Sequence, residues 1–198
     1  MIGVAASSAS RGQTVLAGLA GLVAGAMSMA AGEYVSVSSL LDAEKADTER
    51  ERQEQVSSPE MELEELAGIY ARRGLNRELA RTVAKELMRV DPLGSHLRDE
   101  LGMSEATRAR PLQAALVSAA SFALGAVPGL LVMMLAPAPL GIPLTATTAI
   151  LLLATLGALG GKLGGAPPAR AALRVTVGGG LAMALTAAIG RLAGGVSL

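Results

Sequence analysis

Thiols are absent from this chain, and imidazole and aromatic rings are scarce: no cysteine, one histidine (His96), one phenylalanine and two tyrosines in 198 residues. No disulfide, thiolate ligand or cysteine nucleophile is therefore available, and a metal site must use oxygen, nitrogen or thioether donors. A single histidine leaves little for a catalytic triad, and so few rings leave little for a base-stacking surface. Neither an enzyme nor a nucleic-acid binder is expected. Acidic residues are missing from everything beyond Glu105. All 17 lie between Glu33 and Glu105, and beyond Arg110 the only charges are Lys162, Arg170, Arg174 and Arg191. The formal net charge of zero thus conceals an acidic middle and a basic, apolar end.

What is abundant is apolar surface in long blocks, 51% of the residues. From Thr14 to Leu41 the only charge is Glu33, and about 20 apolar residues suffice to cross a bilayer core. Arg11, the apolar run and Ser28-Met29-Ala30 imitate a secretory signal, but the run exceeds the usual 7 to 15 residues and continues into acidic sequence. From Pro111 to Gly161 there is no charge, room for two spans near 112–135 and 144–161, separated by the proline-rich Ala136 to Pro143. A last span is expected from about Ala171 to Leu192. The fold class is therefore all-α, a polytopic membrane helical bundle of four full spans. The basic loop around Gly164 to Pro168 should be cytosolic, and counting spans backwards puts the acidic segment on the same side. Three parts result: 1–41, a cytosolic helical module at 42–110, and three spans in 111–198.

Beyond Leu41 the acids Glu44, Asp47, Glu51 and Glu54 share one stripe of a continuing helix. An uncompensated stripe implies a cationic partner; a solvated face beside Lys45, Arg50 and Arg52 is the plainer reading. Ser58 and Pro59 mark a helix start, Gly74 a stop, and Asn76 a second start, with Leu79, Val83 and Leu87 as the apolar stripe of that helix. A short helix then runs to Leu101 and Gly102. Glu62 and Glu65 stand three apart on the first of these helices. His96, taken alone, reads as a surface histidine. In the first span Gly21 and Gly25, flanked by Gly18 and Ser28, form a face that permits close helix approach. Met29 and Glu33, four apart, share a face; an intramembrane acid is a functional candidate, whereas an interfacial one costs little.

Gly25 to Ser39, reading GAMSMAAGEYVSVSS, followed by Asp42 to Asp47, resembles the second transmembrane helix of the vacuolar iron transporter family. Glu62 to Ala67, Arg73 to Leu75, Asp91 to Leu93 and Leu97 to Gly102 follow in the order shown by bacterial members. The resemblance implies a homodimeric carrier that exports divalent iron or manganese from the cytosol, in exchange for protons, and serves metal homeostasis. It implies metal ligands at Glu51, Glu54, Glu62, Glu65 and Glu100, with His96 and Leu97 standing where the family often has two methionines. Met29 and Glu33 would mark the passage through the membrane. Met1 to Ser10 would be the remnant of a first helix whose Asn-Asp-Gly-like motif lies upstream, in a late-starting or truncated chain that transports poorly. The implied partners are membrane lipid, metal ions and protons, with no prosthetic group and no nucleic acid. Composition suggests a bacterial inner membrane; a eukaryotic source would mean the vacuolar membrane. The competing reading is a non-transporting membrane protein whose acidic module senses or buffers metal or docks a partner. A soluble hydrolase using paired carboxylates is disfavoured by the length of the apolar blocks.

Overall fold

A computed structural model describes residues 1–104 and 107–194, and among them there are helices and turns but no strand. The helices are α1 (Ile2–Ala6), α2 (Arg11–Ser57), α3 (Pro59–Arg72), α4 (Arg77–Val90), α5 (Pro92–Asp99), α6 (Pro111–Leu135), α7 (Gly141–Leu163) and α8 (Pro168–Gly194). Four of them, α2, α6, α7 and α8, are long and apolar enough to span a membrane, as the apolar blocks predict. Their large side chains point outward: Leu16, Val23, Leu124, Leu156, Leu181 and Leu185 are all more than half exposed. Apolar surface on that scale is stable only against lipid, so the chain is a multi-pass membrane protein. The break between α6 and α7 is a short 3₁₀ turn, Ala138–Leu140.

The chain forms two compact units, Met1–Ala31 with Leu116 onward, and Gly32–Ala115. In the first, glycines set the helix contacts. A Cβ on Gly157 would lie 3.0 Å from the Ala172 Cα, and one on Gly161 would lie 2.6 Å from the Ala171 methyl, so α7 and α8 meet backbone to backbone. Gly190 of α8 lies under the Gly3 carbonyl of α1 with no room for a side chain. On α2, Gly25 receives the ring of Phe122 and Gly18 receives Leu130 and Met1, but Gly21, expected on the same contact face, has open space around it. α6 continues through Pro128, a residue tolerated within a membrane helix where neighbouring groups re-satisfy the freed carbonyl.

In the second unit the α2 helix continues past Leu41 without a break to Ser57, and α3, α4 and α5 are the three expected helices of the acidic module. Ser58 occupies the N-cap of α3 but its hydroxyl makes no capping bond; Pro59 at the first helical position already lacks an N–H. Asn76 does cap α4, its Oδ1 accepting from the Leu79 N–H at 2.9 Å. Gly74 and Gly102 take φ of +105° and +67°, the left-handed conformation that ends α3 and follows α5. The core is Leu66, Ala67, Ile69 and Ala84, with Leu63, Tyr70, Leu87 and Met88 against it. The predicted α4 stripe is shifted: Leu79 is exposed, and Ala80 and Ala84 are the buried positions. Alanines let α3 approach closely, so the tight contact belongs to the smaller residues one step along the helix.

Candidate metal centre

His96 is the pivot of the acidic module. α5 is only 8 residues long, begun by Asp91, whose carboxylate accepts from the Gly94 N–H at 3.0 Å, with Pro92 at its first position. That fixed start turns His96 inward, where it is fully buried. Its Nδ1 lies 3.0 Å from Glu100 Oε2, 3.2 Å from Glu51 Oε1 and 3.7 Å from Glu62 Oε2. Three elements converge: Glu51 from α2, Glu62 from α3, and His96 with the adjoining Glu100 from α5. Glu51 and Glu62 are themselves buried, 3% and 5% exposed. One ligand atom from each of Glu51, Glu62 and His96 falls within 4.8 Å of the others, a span one metal ion can bridge.

The electrostatics of the cluster favour a cation. Burial raises the Glu62 carboxyl above its ordinary value, and Glu51 raises it further, with smaller contributions from Glu65 and Glu54; His96 works the other way. Two buried carboxylates side by side are stabilised when a positive charge joins them. Gln55, one turn along α2, donates from Nε2 to Glu51 Oε1 at 2.9 Å and holds that carboxylate in place. The other side of the imidazole is bare: Nε2 of His96 is buried with no hydrogen-bond partner among the described residues.

The residues singled out from the sequence divide into three sets. Glu51, Glu62, His96 and Glu100 come together. Glu54 and Glu65 are exposed and stand outside the three-residue cluster. Met29 and Glu33 lie farther back on α2, both exposed; Glu33 is 18 residues before Glu51, about 27 Å along the helix axis. The plain reading of His96 as a surface residue is overturned, because α2 and α3 cover it. The acidic stripe of α2 proves compensated in pieces: Glu44 accepts from the Ala109 N–H at 3.3 Å, Asp47 pairs with Arg50 at 2.6 Å, and Glu51 faces His96.

A brace beside the cluster was not anticipated. Asp99 accepts from the Tyr70 hydroxyl at 2.8 Å and from Arg73 at 2.7 Å, and the Arg73 guanidinium lies 5.3 Å from the centre of the Tyr70 ring. Burial alone would raise the Asp99 carboxyl, but these two hydrogen bonds and the charge of Arg73 hold it below the usual value. The brace ties α3 to the C-terminal end of α5, and so fixes the turn that carries His96 and Glu100. Its sequence signal was that Arg73 and Asp99 both lie in stretches, Arg73 to Leu75 and Leu97 to Gly102, that carry the family resemblance.

Comparison with known proteins places this architecture. The VIT family pattern matches residues 1–191. A vacuolar iron transporter of Acanthamoeba castellanii is 45% identical over 193 residues, 97% of this chain and 74% of that protein. Vacuolar iron transporter homolog 1 of Oryza sativa subsp. japonica is 34% identical over 195 residues, covering 98% of this chain and 66% of its own length. Vacuolar iron transporter 1 of Arabidopsis thaliana is 33% identical over 187 residues, covering 92% and 74%. With a match along nearly its whole length, four membrane helices and a carboxylate–imidazole cluster on the adjoining helical module, the chain belongs to the VIT family.

Proposed function

We propose that this protein is a membrane metal-ion transporter that takes divalent iron, with manganese as a second cargo, from the cytosol to the far side in exchange for protons. The observation that carries this reading is the buried convergence of Glu51, Glu62 and His96. Like-charged carboxylates are not desolvated together without a compensating cation. Imidazole beside carboxylates suits a first-row divalent metal, and the order of affinities for such a donor set puts iron above manganese. The same carboxylates bind metal only when deprotonated, so loading the centre releases protons and acidification unloads it. Met29 and Glu33 on α2 supply a thioether and a carboxylate toward the spanning segment, the next ligands for a departing ion. A homodimer fits the small-residue face of α2, where the open space around Gly21 leaves room for a partner helix.

Anaerobic calorimetry with ferrous iron and with manganese tests the centre. The Glu51→Ala/Glu62→Ala protein should bind at least about tenfold more weakly, the loss of roughly 1.4 kcal/mol or more expected when two of three convergent ligands go. Unchanged binding would remove the centre from those residues. Reconstituted liposomes test transport: metal should accumulate only with a proton gradient, and collapsing the gradient with an ionophore should abolish it. Accumulation that ignores the gradient would exclude proton exchange, and no accumulation at all would leave a metal-buffering membrane protein.

A further inference from the structure

The outer face of α8 carries two arginines that no carboxylate of their own unit can neutralise. That unit, Met1–Ala31 with Leu116 onward, holds five basic side chains, Arg11, Lys162, Arg170, Arg174 and Arg191, and no aspartate or glutamate. Arg170 and Arg174 are exposed, and neither takes part in an ion pair among the described residues. Their placement makes a missing counter-charge costly. They stand one turn apart, where like charges repel. Arg170 also lies in the first turn of α8, where the helix dipole disfavours a cation and no acid offsets it. α8 packs through its other face. α7 and α1 are the helices that meet it, through Pro168, Ala171, Val175 and Gly190. Arg170 and Arg174 lie away from those contacts, on a stripe continued at helical spacing by Val177, Leu181 and Leu185, which are 50%, 67% and 64% exposed. Gly178, beside the stripe, has open space around it.

The depth of the pair follows from the helix itself. Arg174 and Arg191 bracket the uncharged residues 175 to 190, about 24 Å of helix, close to the thickness of a bilayer core. Arg174 therefore stands at the edge of the hydrocarbon, and Arg170 one turn farther out, where lipid phosphates lie. From these observations we propose that this stripe of α8 binds an anionic phospholipid, its phosphate held between the Arg170 and Arg174 guanidinium groups and an acyl chain laid along Val177, Gly178 and Leu181. Arginine forks match phosphate oxygens in pairs, so the contact is specific as well as attractive. By the positive-inside rule the α7–α8 turn is expected at the cytosolic leaflet, the one that carries anionic lipid. A zwitterionic lipid brings its own cation and compensates the pair less. A second copy of this chain docked symmetrically on the stripe would gather four arginines with no acid among them, which their repulsion opposes.

The test uses the full chain purified in neutral detergent, without added metal, so its outcome is independent of the transport reading. Native mass spectrometry counts retained lipid and copies of the chain, and thermal unfolding is followed by circular dichroism with phosphatidylglycerol, phosphatidylcholine or glycerol 3-phosphate added. Phosphatidylglycerol should remain bound and raise the unfolding midpoint, and phosphatidylcholine should do so much less. Arg170→Gln/Arg174→Gln should weaken phosphatidylglycerol binding by roughly thirtyfold, the worth of two basic residues at an anionic surface. Arg170→Lys/Arg174→Lys should keep part of it. Arg72→Gln/Arg77→Gln, which removes two exposed arginines from α3 and α4 in the other unit, should keep all. Should the double glutamine variant lose helicity, Arg174→Gln alone should weaken binding roughly fivefold. Undiminished phosphatidylglycerol binding in the glutamine variants, or an equal loss in the Arg72→Gln/Arg77→Gln protein, would overturn the site. An equal shift from glycerol 3-phosphate would overturn the lipid and assign the arginines to a free phosphate compound. No retained lipid, with a dimer that tightens in the glutamine variants, would overturn it in favour of a second copy.

Discussion

Nδ1 of His96 faces three carboxylates, so in the neutral ring that nitrogen must carry the hydrogen, since a lone pair aimed at carboxylate oxygens would be repelled. Nε2 is then a buried acceptor without a partner among the described residues, while the Nδ1 hydrogen is taken up by the carboxylates. The raised Glu62 carboxyl gives this a pH signature. A carboxyl whose folded-state value lies above its unfolded value contributes most below the unfolded value, and that contribution is lost as pH rises through the folded one. Denaturant midpoints measured in chelator should therefore fall as pH rises past the ordinary carboxylate range, and Glu62→Gln should flatten the fall. Asp99 has the opposite sign: held below its ordinary value, it contributes above that value and is lost in stronger acid. Asp99→Ala should lower stability by about 1 to 3 kcal/mol, because the half-buried Tyr70 hydroxyl loses its acceptor; urea unfolding at neutral pH reads this directly. Glu51 and Glu62 entered the sequence reading through the family resemblance, since the spacing of the acids alone reads as a solvated helix face. The burial of His96 was not legible. A lone histidine on two turns of helix has no periodicity to read, and what covers it comes from residues 34 and 45 positions away in the chain.

At the scale of elements the helices were readable almost to their ends. Charge-free blocks and proline–glycine punctuation mark the spans, and Asn76, Gly74 and Gly102 mark the module's helices. Which faces meet was less readable. Gly18, Gly21 and Gly25 are equally small, yet two receive side chains and one receives nothing, because contact depends on the partner's large residues, Leu130 and Phe122. The tight helix contacts at Gly157, Gly161 and Gly190 carry no distinguishing sequence mark among 24 glycines. They can be told apart by substitution. Gly190→Val should destabilise the protein in detergent by about 1 to 3 kcal/mol, as overpacking of a tight contact does. Gly178→Ala or Gly180→Ala, in open space on the same helix, should be neutral or stabilising by up to about 1 kcal/mol through helix propensity alone. A thermal scan in which all three variants behave alike would sink the assignment of the α1–α8 contact.

For the whole molecule, the separation of charge is the organising feature: acids are confined to Glu33 through Glu105, and Lys162, Arg170 and Arg174 surround the α7–α8 turn. By the positive-inside rule that turn is expected on the cytosolic side, and the module, separated from it by two spans, is expected there with it. Single cysteines introduced as Ser57→Cys, Leu140→Cys and Ala166→Cys in this cysteine-free chain should show Leu140→Cys alone labelled from outside in intact cells. Labelling of either other position from outside would mean a different number or direction of spans. The α7–α8 contact bears in addition on how such a chain is built. Its two helices are joined by four residues, 164–167, with Gly165 at φ +72°, and they first meet at Gly161 and Gly157, close to that turn in sequence. Closing so short a loop carries little entropic penalty, and local contacts form first. During synthesis α7 and α8 can leave the translocation machinery already paired, as a finished hairpin. α1, made first, then has to wait for the last helix to complete its own contact at Gly190.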